Sequence, residues 1–129
     1  MSNSGQWHSR NKHKKGYNFK TLCLSTPELS QYLITKPNNE VTINFSLPEA
    51  VKVLNKALLK SHYQINEWQL PPNYLCPGVP GRVDYIHYLA DLLKSTVNVV
   101  DINSNKVKLL DIGTGASCIY PLLGASEYD

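Results

Sequence analysis

The chain has 129 residues, 42% of them apolar, with a formal net charge of +3. That length holds one small domain, or a helical domain with a fragment of another, and the apolar share is enough for a core. No apolar run approaches the roughly 18–20 residues that cross a bilayer, and the polar, basic start "MSNSGQWHSRNKHKKG" lacks the apolar stretch of a secretory signal or an amphipathic transit helix.

The three cysteines, Cys23, Cys76 and Cys118, are widely spaced and form no C-x-x-C pair. Such cysteines act as small hydrophobes in a reducing compartment, which predicts a cytoplasmic protein. The histidines are scattered without metal-ligand spacing, so no metal site is expected.

In chain order, the first feature is a basic arm. Arg10, Lys12, Lys14, Lys15 and Lys20 all precede the first acidic residue, Glu28, and His8 and His13 lie among them. An arm of this kind attracts phosphates by Coulomb interaction and counterion release. Trp7, Tyr17 and Phe19 bracket it, a mixture suited to phosphate contact with occasional stacking. Arg10, Asn11, Lys12, His13, Lys14 and Lys15 are therefore the candidates for contact with a phosphate-bearing partner. The plainer alternative is a solvated, disordered terminus.

"TLCLSTPELSQYLIT" reads as one or two short helical turns broken at Pro27. "EVTINFS" alternates Val41, Ile43 and Phe45 against Thr42, Asn44 and Ser46, the pattern of a half-buried strand. "SLPEAVKVLNKALLKSHY" is the clearest helix. Ser46 and Glu49 have capping-box spacing, Pro48 suits a first turn, and Leu47, Ala50, Val51, Leu54 and Leu58 share one face. A stiff prolyl loop, "QLPPNYLCPGVPG", follows. A second helix, Val83 to Lys94, would bury Tyr85 or Ile86, Leu89, and Leu92 or Leu93. "TVNVVDINSN" reads as a linker or a short strand and turn. "KVKLLDIG", rich in branched apolar residues, fits a central parallel strand. The expected fold class is α/β. A helical (α+β) module over residues 1–95 would be followed, over 96–129, by the first strand, turn and helix of a truncated Rossmann-like sheet.

Three readings compete for the glycine turn "DIGTGAS". A Walker loop needs G-x-x-x-x-G-K-[ST], and no lysine follows Gly113. The dinucleotide fingerprint G-x-G-x-x-G puts Cys118 where its third glycine belongs, which weakens it. The third reading is the first motif of S-adenosylmethionine (SAM) methyltransferases, an acidic residue at the strand end followed by G-x-G. Asp111 would then favour the cationic ammonium of the methionine moiety. Gly113 and Gly115 would let the backbone approach the ligand, and Ser117 would offer a hydroxyl or backbone N–H. A glycine turn with no ligand is the plain alternative.

The longer string "LLDIGTGASCIYPLLG" resembles the first motif of the bacterial adenine-N6 methyltransferases of 23S ribosomal RNA and their eukaryotic RNA-methylating relatives, through Cys118 to Gly124. "HSRNKHKKGYNF" resembles their opening signature, "INFSLPEAVKVLNKALL" their first strand and helix, and "PPNYLCPGVPGRVDYIHYLADLL" their prolyl loop and R-x-D-Y-I-H segment. The resemblance covers nearly the whole chain in order. It implies a SAM-dependent class I enzyme, seven-stranded when whole, that methylates the exocyclic N6 of one adenine in 23S rRNA.

It also implies that Arg82 clamps the SAM carboxylate, with pairing to Asp84 or Asp91 as the alternative. Asn38 would cover the same cofactor or simply make a turn. Asp84, Tyr85 and His87 are equally suited to packing, and His87 is given no chemical role. The family's N-P-P-[FY] motif and the acidic residue after its second strand are absent from these residues. The chain therefore reads as the N-terminal portion of the enzyme, with no catalytic residue of its own, or alternatively as a non-catalytic RNA-binding module. An unpaired strand "KVKLLDIG" predicts dimerisation through that edge, or a poorly ordered last 25 residues.

Overall fold

A computed structural model of the protein describes residues 5–96 and 107–128. The chain forms two compact units, Tyr17–Gly78 and Met1–Gly16 with Val79–Asp129. This division differs from the expected one at 95/96: the N-terminal arm joins the second half of the chain.

In the Tyr17–Gly78 unit, helix α1 (Phe19–Ser25) starts at Asn18, whose side chain accepts a hydrogen bond from the Thr21 N–H at 3.2 Å. Such a cap satisfies one of the orphan donors of a first turn. A 3-10 turn, Pro27–Tyr32, follows, so the chain breaks where proline removes a donor. Strand β1 (Leu33–Thr35) pairs antiparallel with β2 (Val41–Ile43), Leu33 opposite Ile43.

The expected alternation holds at three of its six positions, Ile43 buried and Asn44 and Ser46 exposed. Val41 and Phe45, however, are 43% and 57% exposed and Thr42 is buried. The strand has only three residues and one neighbour. At Asn44 it gives way to a turn in which the Asn44 side chain accepts from the Ser46 N–H at 3.0 Å.

Helix α2 (Pro48–Tyr63) begins with Pro48 in its first turn. The expected capping box does not form: Leu47 is the cap residue and no side chain caps the helix, because Ser46 lies one position too early. Ala50, Val53, Leu54, Ala57, Leu58, Leu59 and Tyr63 are buried, and the helix packs against α1 and the 3-10 turn. Leu47, expected on the buried face, is exposed.

In the other unit, helix α3 (Val79–Thr96) starts four residues earlier than the sequence suggests. Pro80 is tolerated there because a first-turn N–H has no helical partner in any case. Val79, Val83, Ile86 and Ala90 form the buried stripe, whereas Tyr85 and Leu92 are more than half exposed. Helix α4 (Ile119–Tyr128) packs on α3 with Ile119 and Leu123 buried.

The expected central strand is not formed. Residues 107–111 have no regular structure, and Leu109, Leu110 and Ile112 are 56%, 83% and 88% exposed. A parallel strand exists only through hydrogen bonds to its neighbours, and among the described residues the sole sheet is β1–β2. The linker or strand expected from "TVNVVDINSN" lies, from residue 97 on, outside the described residues. Among the described residues no helix is long and apolar enough to cross a membrane.

Candidate functional site

The glycine turn runs from Asp111 to the start of α4. Gly113 and Gly115 have φ of +78° and +69°, left-handed values that cost an L-residue about 1–2 kcal/mol. A Cβ at either position would meet no atom of the described residues within 4 Å. Backbone torsion therefore calls for glycine, and the space above the turn stays open. Cys118 also has a positive φ, +50°, at the position where a dinucleotide fingerprint would carry its third glycine.

Asp111 is half-buried, and its Oδ2 is shielded from solvent with no hydrogen-bond partner among the described residues. A shielded carboxylate oxygen with no donor is costly. Its position at the head of an open glycine turn fits a ligand that brings a cationic donor. Ser117 is half-buried in the same turn.

Arg82 lies in the first turns of α3, and its Nη1 donates to the Tyr120 hydroxyl at 3.0 Å. Its guanidinium carbon is 5.7 Å from the centre of the Tyr120 ring. The alternative partners, Asp84 and Asp91, are engaged by the arm. Tyr120 belongs to the first turn of α4, so Arg82 and the glycine turn are joined through one side chain. Asn38, by contrast, sits in the exposed β1–β2 turn of the other unit. There its Oδ1 accepts from the Glu40 N–H at 3.1 Å and its Nδ2 donates to Glu40 Oε2 at 3.4 Å, which accounts for it as a turn residue.

The arm departs most from expectation. Asp84, His87 and Asp91 share one face of α3, and the arm lies along it. The His8 N–H and Asn11 Nδ2 donate to Asp84 Oδ1 at 2.8 and 2.9 Å, and Asn11 Nδ2 also donates to the Pro80 carbonyl. His8 Nε2 pairs with Asp91 Oδ2 at 2.7 Å, and Arg10 bonds both Asp91 and the His87 carbonyl. Lys12 pairs with Glu127 of α4. His8, Asn11 and His13 are buried.

Of the six RNA-contact candidates, Asn11 and His13 are therefore interior and Arg10 and Lys12 are neutralised by acidic partners. Lys14 and Lys15 remain exposed, with Lys14 donating to the Ser9 carbonyl. The bracketing aromatics differ in placement: Trp7 is 40% exposed, while Tyr17 and Phe19 meet edge to face.

His87 is 1% exposed and stacks on His8, ring centres 5.2 Å apart. Its Nδ1 shares a hydrogen bond with the Tyr128 hydroxyl at 2.7 Å, and its Nε2 faces Glu127 at 3.9 Å. Burial is the main cause that pushes the His87 pKa below its usual value, against the pull of Glu127. The sequence reading missed His8, Asp84, Asp91, Glu127 and Tyr128 as a set connected around His87. The available signal was the 3- and 4-residue spacing of Asp84, His87 and Asp91 along one helix face, facing a basic segment in need of acids.

A family model described as RNA methyltransferase matches residues 1–129. The chain belongs to this RNA methyltransferase family. It is 53% identical over 123 residues to the ribosomal RNA large subunit methyltransferase F of Colwellia psychrerythraea, covering 95% of this chain and 41% of that protein. It is 50% identical over 121 residues to the protein of the same name from Salmonella arizonae, covering 94% and 38%. The chain thus spans about two-fifths of the length of the curated relatives it matches.

Solved structures agree. A crystal form of the METTL16 MTase domain matches at TM-score 0.76 and 39% identity, over 99% of this chain and 48% of that one. The N-terminal domain of human METTL16 in complex with SAH matches at 0.77 and 39%, over 94% and 45%. The hMettl16 catalytic domain in complex with MAT2A 3′UTR hairpin 6 matches at 0.75 and 38%, over 94% and 40%. The mixed helices and two-stranded sheet seen here correspond to part of those domains, and the sequence resemblance to RNA-methylating enzymes is confirmed at family level.

Proposed function

We propose that this chain forms the front part of a SAM-dependent RNA methyltransferase that methylates the exocyclic N6 of one adenine in 23S rRNA. The observation that carries the reading is the turn at Asp111, Gly113 and Gly115. Among the described residues it is open above its glycines, has an unpartnered shielded carboxylate oxygen at its head, and is tied to Arg82 through Tyr120. The SAH-bound human METTL16 domain supports the cofactor. The hairpin-bound domains and the names of the bacterial relatives support RNA as the substrate class.

On this reading Asp111 takes the ammonium of the methionine moiety, directly or through water. Arg82 offers its planar fork to the carboxylate, a geometry a lysine cannot reproduce. Ser117 supplies a hydroxyl or backbone N–H. When bound, SAM supplies an activated methyl group on its sulfonium. The 129 residues contain no N-P-P-[FY] segment, so no residue here is assigned to hold the target amino group. The arm's first task is structural, and Lys14 and Lys15 are the residues left to meet RNA phosphates. The dimer expected from an unpaired strand would form through the exposed Leu109, Leu110 and Ile112.

The reading is tested by calorimetric titration of the full-length protein with SAM. Asp111→Asn and Arg82→Ala should each weaken binding about tenfold or more, the usual scale of a charge-assisted contact. Unchanged affinity in both variants removes the proposed cofactor site.

A further inference from the structure

Tyr120 is placed to do something that neither Arg82 nor the glycine turn does alone. Its hydroxyl accepts from Arg82 Nη1 at 3.0 Å while its ring lies 5.7 Å from the guanidinium carbon. Tyr85, three residues beyond Arg82 on α3, meets the same ring at 5.3 Å with the planes at 63°. One phenol from the helix that leaves the glycine turn is thus held by two side chains of α3, and its hydroxyl holds the guanidinium. A guanidinium has five N–H donors, and the hydroxyl occupies one of them. The remainder stay available for a flat, two-oxygen acceptor. An arginine otherwise loses side-chain freedom when it orders on a ligand.

We propose that Tyr120 is a positioning residue that fixes the Arg82 fork in advance for a carboxylate-bearing ligand. The inference rests on the proposed role of Arg82 toward the carboxylate of SAM, and it adds a residue whose contribution depends on that carboxylate. The competing account is packing alone, in which the ring only joins α4 to α3. The two accounts separate on ligand chemistry. Tyr120→Phe keeps the ring and its contact with Tyr85 and removes only the acceptor of the Arg82 hydrogen bond.

The experiment is calorimetric titration of the full-length protein with two probes, S-adenosylhomocysteine and 5′-methylthioadenosine. The second carries the nucleoside and thioether without the carboxylate. Tyr120→Phe should weaken S-adenosylhomocysteine binding about fivefold, the scale of ordering one long side chain. Its affinity for 5′-methylthioadenosine should match wild type, and its thermal midpoint should stay close to it. In an Arg82→Ala background the same substitution should add nothing, because coupled residues are not additive.

Equal weakening for both probes, or a loss that persists without Arg82, overturns the positioning role in favour of packing. If Arg82→Ala weakens S-adenosylhomocysteine binding and Tyr120→Phe does not, the Tyr120 assignment alone falls. If Arg82→Ala leaves that affinity unchanged, the carboxylate role of Arg82 fails first and this inference with it.

Discussion

Asn11 shows how one side chain can decide the fate of a whole segment. Its amide nitrogen donates to the Pro80 carbonyl and to Asp84, its amide oxygen accepts from the His13 N–H at 2.9 Å, and it is 1% exposed. Asn11→Ala would remove one hydrogen bond each from the Pro80 carbonyl, from Asp84, which keeps the His8 N–H, and from the His13 N–H, all in a shielded place. A hydrogen bond of this kind contributes about 0.5–1.5 kcal/mol, so we expect a loss of about 2–4 kcal/mol, read as a lower denaturant midpoint at unchanged slope. A stability within about 0.5 kcal/mol of wild type would mean that the arm is not anchored there. From sequence alone Asn11 sat among lysines and read as a surface contact, because charge pattern reports what a segment attracts and not which partner lies nearby. The reverse holds at the glycine turn. Gly113 and Gly115 announced their left-handed torsions directly, since few other residues adopt them. Cys118 did not, because a cysteine at φ +50° is a local cost that only its surroundings explain.

Between elements, the arm, α3 and α4 meet at His87, and their joint stability should depend on pH. Burial first, with Arg10 and His8 adding to it, holds the His87 pKa below 6.5, while Glu127 and Asp84 pull the other way. A base whose folded pKa is depressed binds fewer protons folded than unfolded, so stability rises with pH through that window. His87 should thus contribute fully above 6.5, its ordinary value, and its contribution should fade as pH falls below that. We expect the unfolding midpoint to decline on acidification from about pH 6.5 toward pH 5, and His87→Gln to flatten the decline. An unaltered slope in the variant would assign the dependence to other groups. A second element-scale expectation concerns the end of α2. Gln64 takes φ +58° there, its N–H donating to the Leu59 carbonyl, in a position where glycine is the usual residue. Gln64→Gly should stabilise the protein by up to about 1 kcal/mol, seen as a higher thermal midpoint, and a lower midpoint would show that the glutamine side chain matters more than its torsion. Helix α2 was legible because sixteen residues carry a sustained period. Strand β2 was legible in existence and right in its buried face only at Ile43. Three residues with one neighbour are governed by the turn that follows, and alternation carries little information over so short a span.

For the molecule as a whole, the segment at 107–112 separates what this sequence encodes from what it can build. "KVKLLDIG" has the composition of a central strand, and its fault as a prediction is one of company. Parallel strands are stabilised by neighbours and by helices over both faces. The described residues supply no second strand beside it, in a chain that spans about two-fifths of its relatives. Leu109, Leu110 and Ile112 consequently stand 56%, 83% and 88% exposed, three large apolar side chains within four residues, of the kind that recruit another chain. The 129-residue chain produced alone should therefore self-associate with increasing concentration, measured by sedimentation velocity. Leu110→Lys with Ile112→Lys should return it to a monomer at the same concentration. Because both side chains are exposed, the unfolding midpoint should move by no more than about 0.5 kcal/mol in stability. Association that survives the double substitution would locate the contact elsewhere on the surface. A collapse of the midpoint would show that the segment is packed in solution, and would return it to the core that its sequence describes.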